Sequence, residues 1–346
     1  MDLPQPRGSL SRSVIDYSRA PSASTATQVQ AGSREPLAGI VEDEDRLLAL
    51  WLLQGLSYHG YAGVDDDLEW DLAVVGLRVQ LEAALEQELL AVVLPVVQGL
   101  LPEARQDLTA TLFSLPDRVA ASAPSVSAWA RSSMTVEQWR EMLVLRSASQ
   151  LKEADPHTFA VPRIPGAAKV AFMEIQFDEY GSGDPTAMHS ELFGQAMEAV
   201  GLDRSYGGYA DAWPAPVLLA NVTLAWLAGR RRWAPAVVGH LTMVEMTSAL
   251  PCKLYVAGAR RLGLPDQAWH YFDAHVEADA AHEQVAVRDL CGSLVVEDPQ
   301  TLPTLLVGAV AGLHVEGLVA EQSMAAWQQG RSCLRAPLQP WAPEAA

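Results

Sequence analysis

The chain has 346 residues, of which 49% are hydrophobic, and its formal net charge is −18. This length and apolar content are enough for one large domain, or two modest ones, with a packed core. The acidic balance argues against binding to nucleic acid or to an anionic membrane, because both partners select for clustered Lys and Arg.

Cysteine usage and the N-terminus point to a cytoplasmic protein. Cys252, Cys291 and Cys333 are far apart and odd in number, so neither a disulfide framework nor a thiolate zinc site is indicated. The N-terminus lacks the basic and apolar regions of a signal peptide. The apolar stretches 89–97 and 304–320 are short or interrupted by polar residues, so no membrane segment is expected.

The first part of the chain divides into a tail and a group of helices. Residues 1–38 are rich in Ser, Pro, Gln and Ala and have few large apolar side chains, a composition that predicts a flexible tail. Apolar residues at helical spacing then form one stripe from Leu48 to Leu56 and another from Asp71 to Leu94. Residues 39–134 are therefore predicted to be the N-terminal helices of a bundle.

Further helices follow from Thr135 onward, separated by loops rich in Gly and Pro. Thr135 is predicted to cap the first of them, and Asp155-Pro156 to end it. The others are predicted at 166–180, 185–200, 214–227, 233–250, 252–263, 265–290 and 299–329. With few strand patterns and no repeat, the sequence predicts a single all-α bundle, with its core at 135–335 and a tail at 336–346.

The most informative motif is an H-x-x-x-D-x-x-H string formed by His275, Asp279 and His282. At about 100° per residue, the second and third of these lie within roughly 40° of the first on a helix. Two imidazoles and a carboxylate then share one face, and this ligand set is suited to iron, zinc or manganese. Because one helix supplies at most about half a coordination shell, the other ligands must come from elsewhere in the chain. The same residues also occur on ordinary solvated faces, and the string alone leaves both interpretations open.

Acidic and imidazole partners occur in other predicted helices. Glu245 lies in an apolar stretch, where a lone buried carboxylate is costly, so it either occupies a narrow polar face or pairs with a cation. Glu179 and His189 flank a Gly-rich break that lets both side chains return to one centre, although a turn with ordinary surface residues explains this spacing equally well. Glu153 lies at a helix end, where the bundle interior could receive it.

Together the candidate ligands are four carboxylates and three histidines: Glu153, Glu179, His189, Glu245, His275, Asp279 and His282. This number is enough to hold two divalent metals about 3.5–4 Å apart with a bridging carboxylate. Ferritin-like bundles use two Glu-x-x-His motifs, which this chain lacks, so that family is a poor match.

The motifs resemble those of the haem-oxygenase-like di-iron oxidases. The resemblance is carried by the stretch 174–181 with His189 ten residues after Glu179, by 239–248 around Glu245, and by the string at 275–282. All seven ligand positions of that pattern are filled.

The resemblance implies a haem-oxygenase-like fold, two Fe²⁺ ions per chain and O2 as co-substrate. It places Glu153, His189 and His282 at one iron, and Glu245, His275 and Asp279 at the other. Glu179 is the implied bridge, and Glu179 and Glu245 are the residues implied to be central to catalysis. The implied activity is N-oxygenation, oxidative decarboxylation or C–C cleavage of a small organic substrate in specialised metabolism. An external electron donor and a homodimer fit this expectation, and the alternative is a metal-binding or structural helical protein without O2 chemistry.

Three nearby residues are expected to lie outside the site. Asp178 is adjacent to Glu179 and therefore points in another direction on a helix. His240 precedes Glu245 by five residues and is also expected to face away. His157 follows Pro156 and is expected to cap a helix or lie at the surface.

Overall fold

The structure is a computed structural model that describes residues 1–32, 38–119 and 124–341, with the backbone alone at 30–32, 277, 279 and 280. Across these residues the regular secondary structure is helical, without strands, which confirms the all-α prediction. The buried apolar side chains form one continuous core that extends from the first helix to the last.

The N-terminal segment differs from the expected tail. It contains α1 (Ser9–Arg19) and α2 (Ala23–Gly32). Leu10, Val14 and Ile15 of α1 are buried, and the carboxylate of Asp45 accepts hydrogen bonds from the backbone N–H groups of Leu10 and Ser11 at 2.9 and 2.8 Å. Composition could not reveal this because the cap comes from a residue far along the chain. Residues 33–37, also assigned to the tail, lie outside the described residues.

The next helices are α3 (Glu44–Gly55), α4 (Leu72–Ala104), α5 (Leu108–Val119) and α6 (Val126–Ser132). The sequence predicted the first two but not α5 and α6. Helix α4 also continues ten residues past its predicted end, through Pro95 and Pro102. Its buried stripe continues through Val97 and Leu100, and this burial offsets the hydrogen bonds that the prolines remove.

The region predicted as the core contains ten helices within the described chain. Thr135 caps the first of them as predicted, accepting from the backbone N–H of Gln138, whereas Asp155 begins a short helix instead of ending a long one. The helices are α7 (Val136–Gln150), α8 (Asp155–Thr158), α9 (Gly166–Glu179), α10 (His189–Glu198), α11 (Ala215–Gly229), α12 (Ala234–Met246), α13 (Ala249–Arg261), α14 (Gln267–Gln284), α15 (Gly292–Glu297) and α16 (Leu302–Gln328). A π-helical segment, Val285–Cys291, joins α14 to α15.

Helix α12 is held at the centre by close packing against α16. A Cβ added at Gly308 would lie 1.7 Å from the carbonyl oxygen of Ala236, and one added at Gly239 would lie 2.0 Å from that of Leu305. These two glycines therefore let the helix backbones touch, and the contact fixes the position of Glu245 near the end of α12.

Gly308→Ala is expected to lower the free energy of unfolding by about 1–3 kcal/mol, because the new methyl group forces the two helices apart. Urea denaturation followed by circular dichroism measures the change. Gly317→Ala on the same helix is the matched control, since an added Cβ there meets nothing within 4 Å. An equal loss of stability in both variants would contradict the close-packing explanation.

By length and composition alone, α4 and the helical stretch 299–328 around α16 could each span a membrane, which the sequence analysis did not anticipate. The most apolar window is 56% buried in the second stretch and 28% buried in α4. A core helix of a soluble protein passes the same test, so this finding is weak evidence for a membrane span.

Candidate metal centre

The structure brings together all six candidate ligands whose side chains it describes. They lie in the interior, where the turn between α7 and α8 meets α9, α10, α12 and α14: Glu153, Glu179, His189, Glu245, His275 and His282. All are buried except Glu153, whose side chain is 15% exposed. Asp279 lies on the same α14 helix, but its side chain is outside the described residues.

The Gly-rich break between α9 and α10 joins two of these ligands. Glu179 is the last residue of α9 and His189 the first of α10. Gly181 has φ +77°, and a Cβ there would lie 2.7 Å from the backbone nitrogen of Met188, so the reversal requires glycine. Of the two interpretations that the sequence left open, the structure shows the one in which both side chains return to one centre, with His189 Nδ1 3.0 Å from Glu179 Oε2.

Helix α14 contributes one histidine to each end of the cluster. His275 and His282 are seven residues apart, about 10.5 Å along a helix axis. His275 Nε2 lies 3.7 Å from Glu153 Oε1, whereas His282 Nδ1 lies 3.3 Å from Glu245 Oε2. The helix therefore runs along the length of the cluster.

Two overlapping groups of ligand atoms result, and Glu179 belongs to both. Within each group the atoms lie within 4.8 Å of one another, one group being Glu153, Glu179, His189 and His275 and the other Glu179, Glu245 and His282. The partition implied by the resemblance is thus wrong for His275 and His282, which exchange places. The rise along α14 explains the difference, because the earlier histidine is level with α10 and the later one with α12.

Hydrogen bonds set which nitrogen of each α14 histidine faces the cluster. His275 Nδ1 donates to the carbonyl oxygen of Tyr271 at 2.8 Å, which leaves Nε2 directed at the cluster. His282 Nε2 lies 3.0 Å from Asp178 Oδ2, which leaves Nδ1 on the side of Glu245. Outer partners of this kind fix the orientation and tautomer of metal-binding histidines.

Several buried ligand atoms make no hydrogen bond within the described part of the chain. They are Glu153 Oε2, Glu179 Oε2, His189 Nδ1 and His275 Nε2. The second and third lie 3.0 Å apart without the alignment of a hydrogen bond. Buried polar atoms without partners are costly, and all four belong to one ligand group. Imidazole and carboxylate atoms in this arrangement fit a divalent transition metal.

Crowded carboxylates also shift the protonation of the cluster. Burial, together with the charge of Glu179, raises the pKa of Glu153 to about 8. Burial and the charge of Glu245 raise the pKa of Glu179 to about 8 as well. Burial lowers the pKa of His189, so that imidazole is neutral and able to bind a metal. A divalent cation would reverse the penalty on the carboxylates.

The pKa of His282 moves the other way. Burial alone would lower it, but the hydrogen bond and charge of Glu245, together with Asp178, raise it to about 9. The raised pKa follows from the position of the His282 ring between the carboxylates of Glu245 and Asp178.

A comparison with known proteins decides the family. The family model described as iron-containing redox enzyme matches residues 140–317, which include all seven candidate ligands. The chain belongs to the family of iron-containing redox enzymes.

Two known proteins are similar to this chain, one in sequence and one in fold. A nitrosourea synthase from Streptomyces achromogenes subsp. streptozoticus is 27% identical over 156 residues, which cover 45% of this chain but only 33% of that protein. A crystal structure of a domain of unknown function with a heme oxygenase-like fold, from Shewanella denitrificans OS217, superposes with a TM-score of 0.50 at 14% identity. This match covers 65% of this chain and 94% of that one, and it confirms the haem-oxygenase-like fold.

Sequence reasoning missed two residues of this iron-containing redox enzyme that contact the ligands. Asp178 was expected to point away, but at the last turn of α9 it reaches His282, which lies beside the helix end. Tyr271 donates a hydrogen bond to Glu153 Oε1. Tyr271 precedes His275 by four residues, so the helical spacing of the string, extended backward by one turn, could have identified it.

His157 is not at the surface, contrary to expectation. It is buried and lies 3.0 Å, Nε2 to Nδ1, from His240 on α12. Burial lowers the pKa of both rings, and the neighbouring His240 lowers that of His157 further. Within the described chain, neither residue belongs to the ligand cluster. Their contact connects α8 to α12 beside the turn that bears Glu153.

Asp178→Asn is expected to weaken metal binding about 10–100-fold at the Glu245 end of the cluster, because it removes the charge that supports His282. Anaerobic titration with Co²⁺, followed by visible absorption, measures both affinities. Asp273→Asn, at an exposed position of α14, is the matched control. Equal affinities in the two variants would show that Asp178 does not support the ligand.

Proposed function

We propose that this iron-containing redox enzyme is a non-haem di-iron oxidase or oxygenase that uses O2 to oxidise a small organic substrate. The observation that carries the proposal is the pair of ligand groups that share Glu179. The ligand atoms form two groups instead of one, and two ions with a bridging carboxylate would use both groups. Ferrous ions held by these imidazole and carboxylate groups would supply the binding and reduction of O2.

The residues of the chain have separate tasks in this proposal. Glu153, His189 and His275 would hold one ion and Glu245 and His282 the other, and Glu179 is available to both. Tyr271 and Asp178 keep the ligands oriented. The burial of the cluster excludes bulk water and so protects reactive species from side reactions.

Among the three expected outcomes, N-oxygenation has the most support. The matched relative is named a nitrosourea synthase, and a nitrosourea contains oxidised nitrogen. The chain spans only a third of that relative's length, so the substrate need not be the same. We propose a nitrogen atom of the substrate as the oxidised atom.

A metal-binding or structural protein without O2 chemistry is the alternative. To distinguish this alternative from the proposed oxygenase, the protein is loaded with Fe²⁺ under anaerobic conditions, and air-saturated buffer is then added in an oxygen electrode. We expect about two ferrous ions per chain and rapid O2 consumption that depends on them. Tight binding of a single zinc ion, or no O2 consumption by the loaded protein, would overturn the proposal.

A further inference from the structure

A second feature of the molecule is a cavity of about 430 Å³ that contains none of the candidate metal ligands. It lies between α3, α4, α11 and the turn between α7 and α8. Its walls carry five large aromatic side chains, namely Trp51, Tyr58, Trp70, Phe159 and Tyr206. Such a lining suits the apolar body of a small organic ligand.

Lys152 lies at the wall of this cavity without an anionic partner. Its side chain is only 8% exposed, and its ammonium group lies over the rings of Tyr58 and Tyr206, 5.2 and 5.1 Å from their centroids. Both rings line the cavity. Within the described residues Lys152 forms no ion pair and no side-chain hydrogen bond. The ammonium therefore lies where an anion bound in the cavity could pair with it.

The other charged residues of the lining leave an excess of positive charge. Arg230 is paired with Glu82 through two hydrogen bonds of 2.8 and 2.6 Å. Arg78 donates to the hydroxyl of Ser57 and Arg163 to a backbone carbonyl, so neither is neutralised by these contacts. Four basic residues thus line the cavity against two acidic ones, Glu69 and Glu82, in a chain whose net charge is −18.

We propose that this cavity binds a small organic carboxylate, with the carboxylate paired to Lys152 and the apolar body against the aromatic walls. Lys152 is the basic residue that lies between the aromatic rings of the lining, so it can pair with a carboxylate whose apolar body contacts those rings. This ligand chemistry follows from the cavity alone and does not require iron.

Residues of the cavity lining are next to candidate metal ligands in the sequence and are linked to their neighbours by hydrogen bonds. Lys152 directly precedes Glu153, and Tyr58 donates a hydrogen bond to Asp155, the first residue of α8. Asp155 also accepts from Tyr180 at 2.9 Å, the residue after Glu179. We therefore assign the carboxylate as the substrate of the enzyme, and this part of the inference rests on the proposed function.

Two fluorescent probes that differ in charge test the binding. The anion 8-anilinonaphthalene-1-sulfonate and its uncharged analogue N-phenyl-1-naphthylamine share one aromatic body, and each is titrated into chelator-treated protein. In Lys152→Met we expect the affinity for the anion to fall about tenfold or more and that for the neutral probe to stay unchanged. Lys152→Arg should retain the anion, because it keeps the charge at the wall.

Lys253→Met is the matched control, since Lys253 is exposed and lies outside the cavity lining. It should bind both probes like the parent. Unchanged affinity for the anion in Lys152→Met, or an equal fall for both probes, would overturn the assignment of the anion to Lys152. Iron-dependent O2 consumption, measured on the same variants without added substrate, tests the proposed function separately.

Discussion

Replacing Glu179 by glutamine is expected to reduce ferrous binding from about two ions per chain to less than one. Glu179 is the one residue common to both ligand groups of the described chain, and its carboxylate is buried between them. The amide keeps the shape of the side chain but cannot bridge two cations as an anion. Anaerobic equilibrium dialysis with iron analysis measures the stoichiometry.

Glu174→Gln is the matched control for this experiment. It makes the same chemical change on the same helix, at an exposed position five residues earlier. We expect it to bind iron like the parent. If Glu179→Gln also retained two tightly bound ions, the bridging role of Glu179 would be refuted.

Replacing Glu245 by glutamine is expected to remove one ion and leave the other. Glu245 belongs only to the group with Glu179 and His282, and it contributes that group's second carboxylate. The ion held by Glu153, His189 and His275 loses no ligand. We therefore expect about one ferrous ion per chain and, because O2 reduction needs both ions in the proposed function, a loss of at least about 100-fold in the rate of O2 consumption.

Stoichiometry and rate together make this prediction specific. Circular dichroism of the metal-free variant establishes whether the helices remain intact. A variant that is folded, binds two ions and consumes O2 at the parental rate would show that Glu245 is not a ligand.

Local sequence patterns predicted the parts of the site that depend on one helix or one turn. The Gly-rich break after α9 brings Glu179 and His189 together, which is one of the two arrangements that the sequence left open, and the constraint lies in Gly181 itself. The apolar surroundings of Glu245 left open a narrow polar face or pairing with a cation, and the structure shows the carboxylate buried beside His282.

Features that depend on the offset between helices were not predictable in the same way. The exchange of His275 and His282 between the two groups depends on the level at which α10 and α12 meet α14, which no local pattern specifies. Asp178 was rejected on helical angle alone, although His282 approaches α9 from the side that this residue faces. The buried α1 helix was hidden for a similar reason, since Asp45 supplies its cap from a distance along the chain.

In the proposed function, two metal ions share Glu179. Crystals loaded anaerobically with Fe²⁺, measured on both sides of the iron absorption edge, locate each ion directly. We expect two anomalous peaks about 3.5–4 Å apart, one beside Glu153, His189 and His275 and the other beside Glu245 and His282, with the Glu179 carboxylate between them. A single peak, or iron bound away from Glu179, would contradict the proposal that two ions share this carboxylate.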